Sequence, residues 1–167
     1  MIIVYTGDGK GKTCACIGQA FRALGRGLSV GFAQFIKRDG IAGEQAILAR
    51  MPGGLLHFRA GGIGFFQMES EREEHRRKAL ELLEWCLCLS VDMLILDEAI
   101  YALDYGLILA DELDPLFSRA ANREKHLVLS GRNAPVWMLE KADLVTEMVE
   151  RRHPHKIGIG PIIGIEY

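Results

Sequence analysis

Short apolar runs with high β-propensity alternate along the chain with segments whose apolar residues recur at helical spacing. The first run, IIVYT, leads into a glycine-rich loop, and VDMLILDEA further along predicts a buried strand that ends in two acids. The predicted strands are residues 2–6, 28–36, 55–59, 91–99, 126–132 and 143–149, with a last apolar run at 157–167.

The segments between these runs predict helices. After the glycine-rich loop, residues at helical spacing are Ala15, Gly18, Phe21 and Leu24. Ser70 with Glu73 forms a capping box, which predicts a long helix through about residue 89. Shorter helices are predicted at 44–50, 111–121 and 135–142. Apolar strands that alternate with helices predict an α/β fold, with a mostly parallel sheet covered by helices on both faces.

Composition supports one domain over residues 1–167, because 167 residues with 49% apolar content can bury a core and no repeat, low-complexity tract or linker divides them. A net charge of −2 gives no basic footprint for nucleic acid. Without an 18-residue apolar run or an apolar leader, we expect no membrane partner and a cytoplasmic protein.

The two C-x-C pairs, Cys14/Cys16 and Cys86/Cys88, are expected to be four small buried hydrophobes.

The loop Gly7-Asp8-Gly9-Lys10-Gly11-Lys12-Thr13 has most features of a phosphate-binding loop. The usual pattern would put its first glycine at position 6, which is Thr6 here. Strand, glycine-rich turn and helix N-terminus together still offer converging N–H groups and a helix dipole to a polyphosphate, and so predict a P-loop NTPase-like fold. Lys12 would neutralise phosphate oxygens, and the Thr13 hydroxyl would bind Mg²⁺. The spacing fits either a poor hydrolase loop or a shorter loop with another purpose.

Two acids and two arginines add charge near this loop. Asp97 and Glu98 end a buried strand at the sheet edge where ligands of such folds bind, so we expect them to serve the metal directly or through water, although acids there can also be helix caps. Arg132 follows the next strand and Arg22 lies nine residues past Thr13. Either arginine suits a leaving phosphate chain, and either can equally form a surface ion pair.

No residue stands out as the group that orients a nucleophilic water or hydroxyl, and the five histidines are scattered. The reaction chemistry is therefore expected to belong to a bound cosubstrate.

At this point the chain resembles the P-loop type ATP:corrinoid adenosyltransferases. The matching segments, in the family's order, are TGDGKGKT (6–13), AQFIK (33–37), Gly43-Glu44, LDE (96–98), SGR (130–132) and GIEY (164–167). The resemblance implies that the loop grips the γ-phosphate end of ATP and presents C5′ to Co(I) of a corrinoid, with release of triphosphate. It also implies that Lys12, Thr13, Mg²⁺ and the arginines hold that triphosphate.

One segment departs from the family pattern. The family's Gly-Phe-x-Trp, whose aromatics cover the lower corrin face, reads Gly64-Phe65-Phe66-Gln67 here. Phe65 and Gln67 are the implied corrinoid contacts, and Phe66 is an alternative occupant of the tryptophan's place. The resemblance further implies a homodimer and a flavoprotein reductase as partners. Two other functions stay open, an ATP-binding regulatory module with a decayed corrinoid site, and an ATPase or small-molecule kinase.

Overall fold

A computed structural model describes residues 1–51 and 54–165, and six parallel strands form its sheet. The strands are β1 (Ile2–Thr6), β2 (Val30–Gln34), β3 (Leu56–Ala60), β4 (Met93–Asp97), β5 (His126–Ser130) and β6 (Leu144–Glu147). Their order is β3-β2-β4-β5-β1-β6, with every pairing parallel. The six predicted strands are confirmed, and most are shorter than the apolar runs that predicted them.

Helices cover both faces of this sheet. They are α1 (Lys12–Leu24), α2 (Gly43–Leu48), α3 (Arg72–Cys88), α4 (Ala99–Asp104), α5 (Ala110–Ala121) and α6 (Val136–Lys141), with short 3-10 helices at Glu69–Glu71 and Pro154–Ile157. Because successive strand side chains point to opposite faces, the sheet separates two cores. On one face Ile3, Phe32 and Ile95 pack with α1 and α2, and on the other Val4 and Leu96 pack with the remaining helices. The predicted P-loop NTPase-like α/β fold is confirmed.

The buried face of α1 differs from the predicted periodicity. Phe21 is 45% exposed, whereas Cys16, Ala20 and Ala23 are buried against the sheet. Small side chains on this stripe let the helix lie close to the sheet, and the larger Phe21 is left on the outer side.

Two smaller expectations also fail. The long helix begins at Arg72 after a 3-10 turn, and the capping hydrogen bond runs from the Met68 N–H to Glu71 Oε2 (3.3 Å), two residues earlier than the predicted Ser70 box. Of the four cysteines, all free thiols, Cys16 and Cys86 are buried but Cys14 and Cys88 are exposed, because residues two apart on a helix point in different directions.

The last apolar run forms no strand within residues 157–165. In the GIEY match, Glu166 and Tyr167 lie outside the described residues. Within residues 1–51 and 54–165, no helix has both the length and the apolar character needed to cross a bilayer.

Candidate active site

The glycine-rich loop occupies residues 7–11, between the end of β1 and the start of α1. Gly7 (φ 94°) and Gly11 (φ 112°) adopt left-handed backbone angles that favour glycine. The Gly9 N–H donates to the Met148 carbonyl at 2.7 Å, and a Cβ at Gly7 or Gly9 would lie 2.5 or 2.7 Å from that same oxygen. The loop is thus packed directly on the residue that follows β6.

Lys12 is buried at the first position of α1, and its ammonium turns back into the loop. Its Nζ donates to the carbonyl oxygens of Gly7 (2.7 Å) and Gly9 (2.8 Å). Burial lowers the pKa of Lys12, and the nearby carboxylate of Glu98 opposes that shift. This arrangement puts a positive charge inside the loop, at the helix N-terminus expected to receive phosphate.

Asp97 ends β4 fully buried, with its carboxylate held by side chains from three other elements. It accepts hydrogen bonds from Thr13 Oγ1 (3.1 Å to each oxygen), Gln34 Nε2 (3.1 Å) and Ser130 Oγ (2.7 Å). Gln34 and Ser130 are the last residues of β2 and β5. The strand order β2-β4-β5-β1 therefore gathers the ends of four adjacent strands around the loop.

Glu98 is the N-cap of α4 and has a left-handed backbone (φ 60°), which is uncommon for a residue with a side chain. Its N–H donates to Ser130 Oγ at 3.0 Å. Burial, and then the charge of Asp97, raise the pKa of Glu98, while Lys12 and Lys37 act in the opposite direction. The two lysines therefore do not fully offset the burial of Glu98 and the charge of its neighbour Asp97.

The oxygen donors present suit Mg²⁺. The Thr13 hydroxyl, Asp97 and Glu98 would supply hard oxygen ligands to such an ion, and the raised pKa of Glu98 marks a position where added positive charge is favourable. Among the residues that the structure describes, no group of three or more His, Cys, Asp or Glu side chains makes a metal cage. A magnesium site here would accordingly draw on water and phosphate oxygens for the rest of its shell, as Mg²⁺ sites usually do.

The two arginines predicted for the site lie in different places. Arg132 follows β5 and approaches the loop, with its Nη1 4.0 Å from Asp8 Oδ1 and both side chains exposed. Arg22 is in the last turn of α1, about 13 Å along the helix from Thr13 at 1.5 Å per residue. The structure therefore brings Arg132 to the loop, whereas Arg22 lies further along α1, where its positive charge opposes the raised pKa of Tyr5 near the end of β1. Lys10 is exposed on the loop.

Tight packing directs the chain after β5. Gly131 has φ 146°, and a Cβ there would lie 2.7 Å from Ile100 Cβ and from the Tyr101 nitrogen. Because residue 131 has no side chain, the backbone between Ser130 and Arg132 can lie directly against the first turn of α4.

Several polar residues at this edge were not identified from the sequence as site residues. They are Gln34, Lys37, Glu44, Gln45 and Ser130. Lys37 Nζ lies 2.6 Å from Glu44 Oε1 and 3.4 Å from Thr13 Oγ1. In the sequence, Gln34 and Ser130 stand near the ends of predicted strands and Lys37 directly follows one, and AQFIK, Gly43-Glu44 and SGR served only as family matches.

The 64–67 segment projects beside α4. Phe65 is 65% exposed and meets Tyr101 edge to face at 5.7 Å. Phe66 instead packs inward against His75, Tyr105 and the Arg72 guanidinium. Phe66 is thus engaged with α3 and with the residue that follows α4.

Around these phenylalanines, Gln67 is exposed and Tyr101 stacks on Tyr105 with ring centroids 4.3 Å apart. Burial and the neighbouring Tyr105 raise the pKa of Tyr101 to about 12, so this phenol is neutral at physiological pH.

Comparison with known proteins agrees with the resemblance. The chain is 35% identical over 173 residues to a corrinoid adenosyltransferase of Pseudomonas aeruginosa, covering 100% of this chain and 83% of that protein. It is 34% identical over 174 residues to a corrinoid adenosyltransferase of Escherichia coli K12, covering 100% and 85%.

A solved structure, the flagellar accessory protein FlaH of Methanocaldococcus jannaschii, matches with a TM-score of 0.54 and 14% identity over 87% of this chain and 69% of that one, which bears on the fold alone. The sequence profile of the ATP:corrinoid adenosyltransferase BtuR/CobO/CobP family matches residues 1–167. The resemblance drawn from the motifs is confirmed, and the chain belongs to the ATP:corrinoid adenosyltransferase family.

Proposed function

We propose that this protein transfers the 5′-deoxyadenosyl group of ATP to the Co(I) centre of a corrinoid and releases triphosphate. One observation carries the proposal. In a member of this family, the Lys12 ammonium lies inside a phosphate loop whose Thr13 hydroxyl bonds to the strand-end acid Asp97. That arrangement is built to hold a polyphosphate.

In the proposed reaction, the Co(I) electron pair attacks C5′ of ATP. The cobalt–carbon bond forms, the bond from C5′ to the bridging oxygen breaks, and its electron pair leaves with the triphosphate. Co(I) has no proton to lose, so the step needs no general base. The protein has to position C5′ and stabilise the charge that develops on the leaving group.

Each loop residue then has a role toward that leaving group. The ammonium of Lys12 would exchange its carbonyl partners for phosphate oxygens, and the N–H groups of the loop and of the first turn of α1 would add further donors. Arg132, which is 58% exposed beside Asp8, would turn toward the outer phosphate oxygens. Gly7 and Gly9 leave room for the Met148 carbonyl and so keep the loop packed against the residue that follows β6.

The proposed cosubstrate form of the nucleotide is MgATP. Thr13, Asp97 and Glu98 would hold the metal, with Asp97 fixed by Gln34 and Ser130. Bound there, Mg²⁺ supplies positive charge to the phosphate oxygens and relieves the repulsion between the two acids.

The corrinoid is proposed to lie against Phe65 and residue 67, which face outward beside α4. A reductase, flavoprotein in type, would supply the electron, and a homodimer is the proposed assembly. One sheet takes in all six strands of the described residues, which supports a single P-loop domain over 1–167. Four free cysteines are compatible with the proposed cytoplasmic location.

Product analysis tests this function. Purified protein, ATP, Mg²⁺ and chemically reduced cob(I)alamin should give a light-sensitive alkylcobalamin in the visible spectrum, with inorganic triphosphate as the second product. Lys12→Ala serves as the negative control. ADP or phosphate in place of triphosphate, without the light-sensitive species, would refute adenosyl transfer and indicate an ATPase or kinase.

A further inference from the structure

Lys37 lies three residues beyond β2 and reaches into the same space as the phosphate loop. Its Nζ donates to Glu44 Oε1 at 2.6 Å and lies 3.4 Å from Thr13 Oγ1. The Lys37 side chain is 29% exposed and that of Glu44 is 18% exposed. A lysine that only solubilised the surface would not be directed at the hydroxyl of the loop's own threonine.

A buried amide network fixes the segment that carries this lysine. Gln45, 2% exposed, donates from Nε2 to Gln34 Oε1 (2.8 Å) and to the Arg38 carbonyl (3.1 Å). Its Oε1 accepts from the N–H groups of Ile41 (3.0 Å) and Ala42 (3.2 Å). One glutamine therefore ties the connection between β2 and α2 to the end of β2, and this fixed connection limits where Lys37 can reach.

Gln34 links this network to the proposed metal site. Its Nε2 lies 3.1 Å from both Glu44 Oε1 and Asp97 Oδ2. Burial alone would raise the pKa of Glu44, but the hydrogen bonds from Lys37 and Gln34 outweigh it and lower the pKa, so Glu44 stays ionised. The Glu44 carboxylate thus holds the Lys37 ammonium beside the Thr13 hydroxyl. The Gln34 amide bridges the carboxylates of Glu44 and Asp97.

The charge of Lys37 acts on the same point as that of Lys12. Lys12 Nζ lies at the carbonyls of Gly7 and Gly9, and Lys37 Nζ lies at the Thr13 hydroxyl. Lys12 reaches the loop from α1 and Lys37 reaches it from the β2 side, so an anion in contact with Thr13 would lie between two ammonium groups.

We propose that Lys37 is a second lysine ligand of the bound polyphosphate, positioned by Glu44, Gln34 and Gln45. This inference rests on the proposed ATP site and extends it to a residue outside the loop. When the nucleotide binds, the Nζ keeps its bond to Glu44 and takes a phosphate oxygen in place of the Thr13 hydroxyl.

Calorimetric binding of MgATP, and of inorganic triphosphate with Mg²⁺, tests the proposal without any corrinoid. Lys37→Ala should weaken both by roughly 10- to 100-fold, the range for loss of one charged hydrogen bond. The matched control is Lys141→Ala. Lys141 is the last residue of α6, away from the loop, and its Nζ lies 3.5 Å from Asp114 Oδ1. This variant should bind both ligands as the wild type does.

A double variant separates the proposal from a purely structural role. If Lys37 only neutralised Glu44, Lys37→Ala/Glu44→Gln would recover wild-type binding, because no unpaired carboxylate would face the phosphates. We expect binding to stay at least tenfold weaker in the double variant. Recovery to wild-type affinity, or wild-type affinity in Lys37→Ala itself, would overturn the proposal.

The double variant also keeps the test available if the single variant unfolds, since it leaves no orphaned charge at Glu44. Binding and transfer are measured separately, so the two proposals fail in different ways. Weak binding by the Lys37 variants in a protein that makes no alkylcobalamin would support the lysine and refute the transferase. If the wild type makes alkylcobalamin and the Lys37 variants bind ATP as tightly as the wild type does, the transferase is supported and the role of Lys37 is refuted.

Discussion

Ser130→Ala should destabilise the protein far more than a chemically matched substitution at Ser29. Ser130 Oγ donates to Asp97 Oδ1 at 2.7 Å and accepts from the Glu98 N–H at 3.0 Å. Ser29 Oγ donates to Asp92 Oδ2 at 2.7 Å and accepts from the Asp92 N–H at 3.0 Å. Both serines donate to a carboxylate and accept from a backbone N–H at the same lengths, but Ser130 is fully buried and Ser29 half-buried. The Asp92 N–H also has the Ser29 carbonyl as a second acceptor (3.1 Å), which Ser29→Ala leaves in place.

Burial sets the expected magnitude. Ser130→Ala removes one hydrogen bond to a charged group, about 1.5–3 kcal/mol, and leaves the Glu98 N–H without its acceptor, a further cost of about 1–3 kcal/mol. Because the two losses are not fully additive, we expect the free energy of unfolding to fall by about 2–5 kcal/mol. For a chain of this size that corresponds to a melting temperature lower by roughly 5–20 °C.

Urea denaturation of wild type, Ser130→Ala and Ser29→Ala at one pH checks this expectation. Around Ser29, water replaces the lost bonds, so its variant should stay close to wild type. Comparable losses in both variants would mean that the buried position of Asp97 adds no cost. Wild-type stability in Ser130→Ala would mean that Thr13 and Gln34 suffice to hold the carboxylate.

Three other changes test separate parts of the site. Lys12→Ala should cost about 2–4 kcal/mol of transition-state stabilisation with the fold intact, and a wild-type rate at saturating ATP would refute the loop assignment. The raised pKa of Glu98 means that the folded state binds this proton more tightly than the unfolded chain, so stability is present below the ordinary value of 4.5 and lost as pH rises through the raised pKa. Glu98→Gln should therefore raise the urea midpoint of the nucleotide-free protein at neutral pH and lose that advantage near pH 4, and identical midpoints across pH would contradict the shift. Gln67→Trp should raise turnover of cob(II)alamin with a weak reductant and matter little with preformed Co(I), because an indole covers the corrin face better than an amide; equal rates in both regimes would remove residue 67 from that face.

Features encoded by contiguous residues were predictable. Most strands are local apolar runs, and the phosphate loop is a local glycine pattern, so both could be located without knowing what packs against them. The buried face of α1 could not, because the sheet surface decides which side of a helix is covered. There the small residues Cys16 and Ala20 are buried in preference to the larger Phe21.

The partners of Asp97 were hidden for a different reason. Gln34 and Ser130 are separated from Asp97 by 63 and 33 residues, and they meet it only because β4 lies between β2 and β5. Strand order is set by packing of the whole sheet, so the sequence near any one of these residues does not carry it.

The unusual length of the phosphate loop follows from how β1 ends. Thr6 remains in the sheet, paired with Glu147, and its carbonyl accepts the Met148 N–H at 2.8 Å. The turn therefore begins at Gly7, which has a left-handed backbone. Gly7 thus opens the loop, as a glycine at position 6 would in the usual spacing. The Met148 carbonyl in turn accepts the Gly9 N–H. Met148, directly after β6, therefore forms hydrogen bonds both with Thr6 at the end of β1 and with the shortened loop.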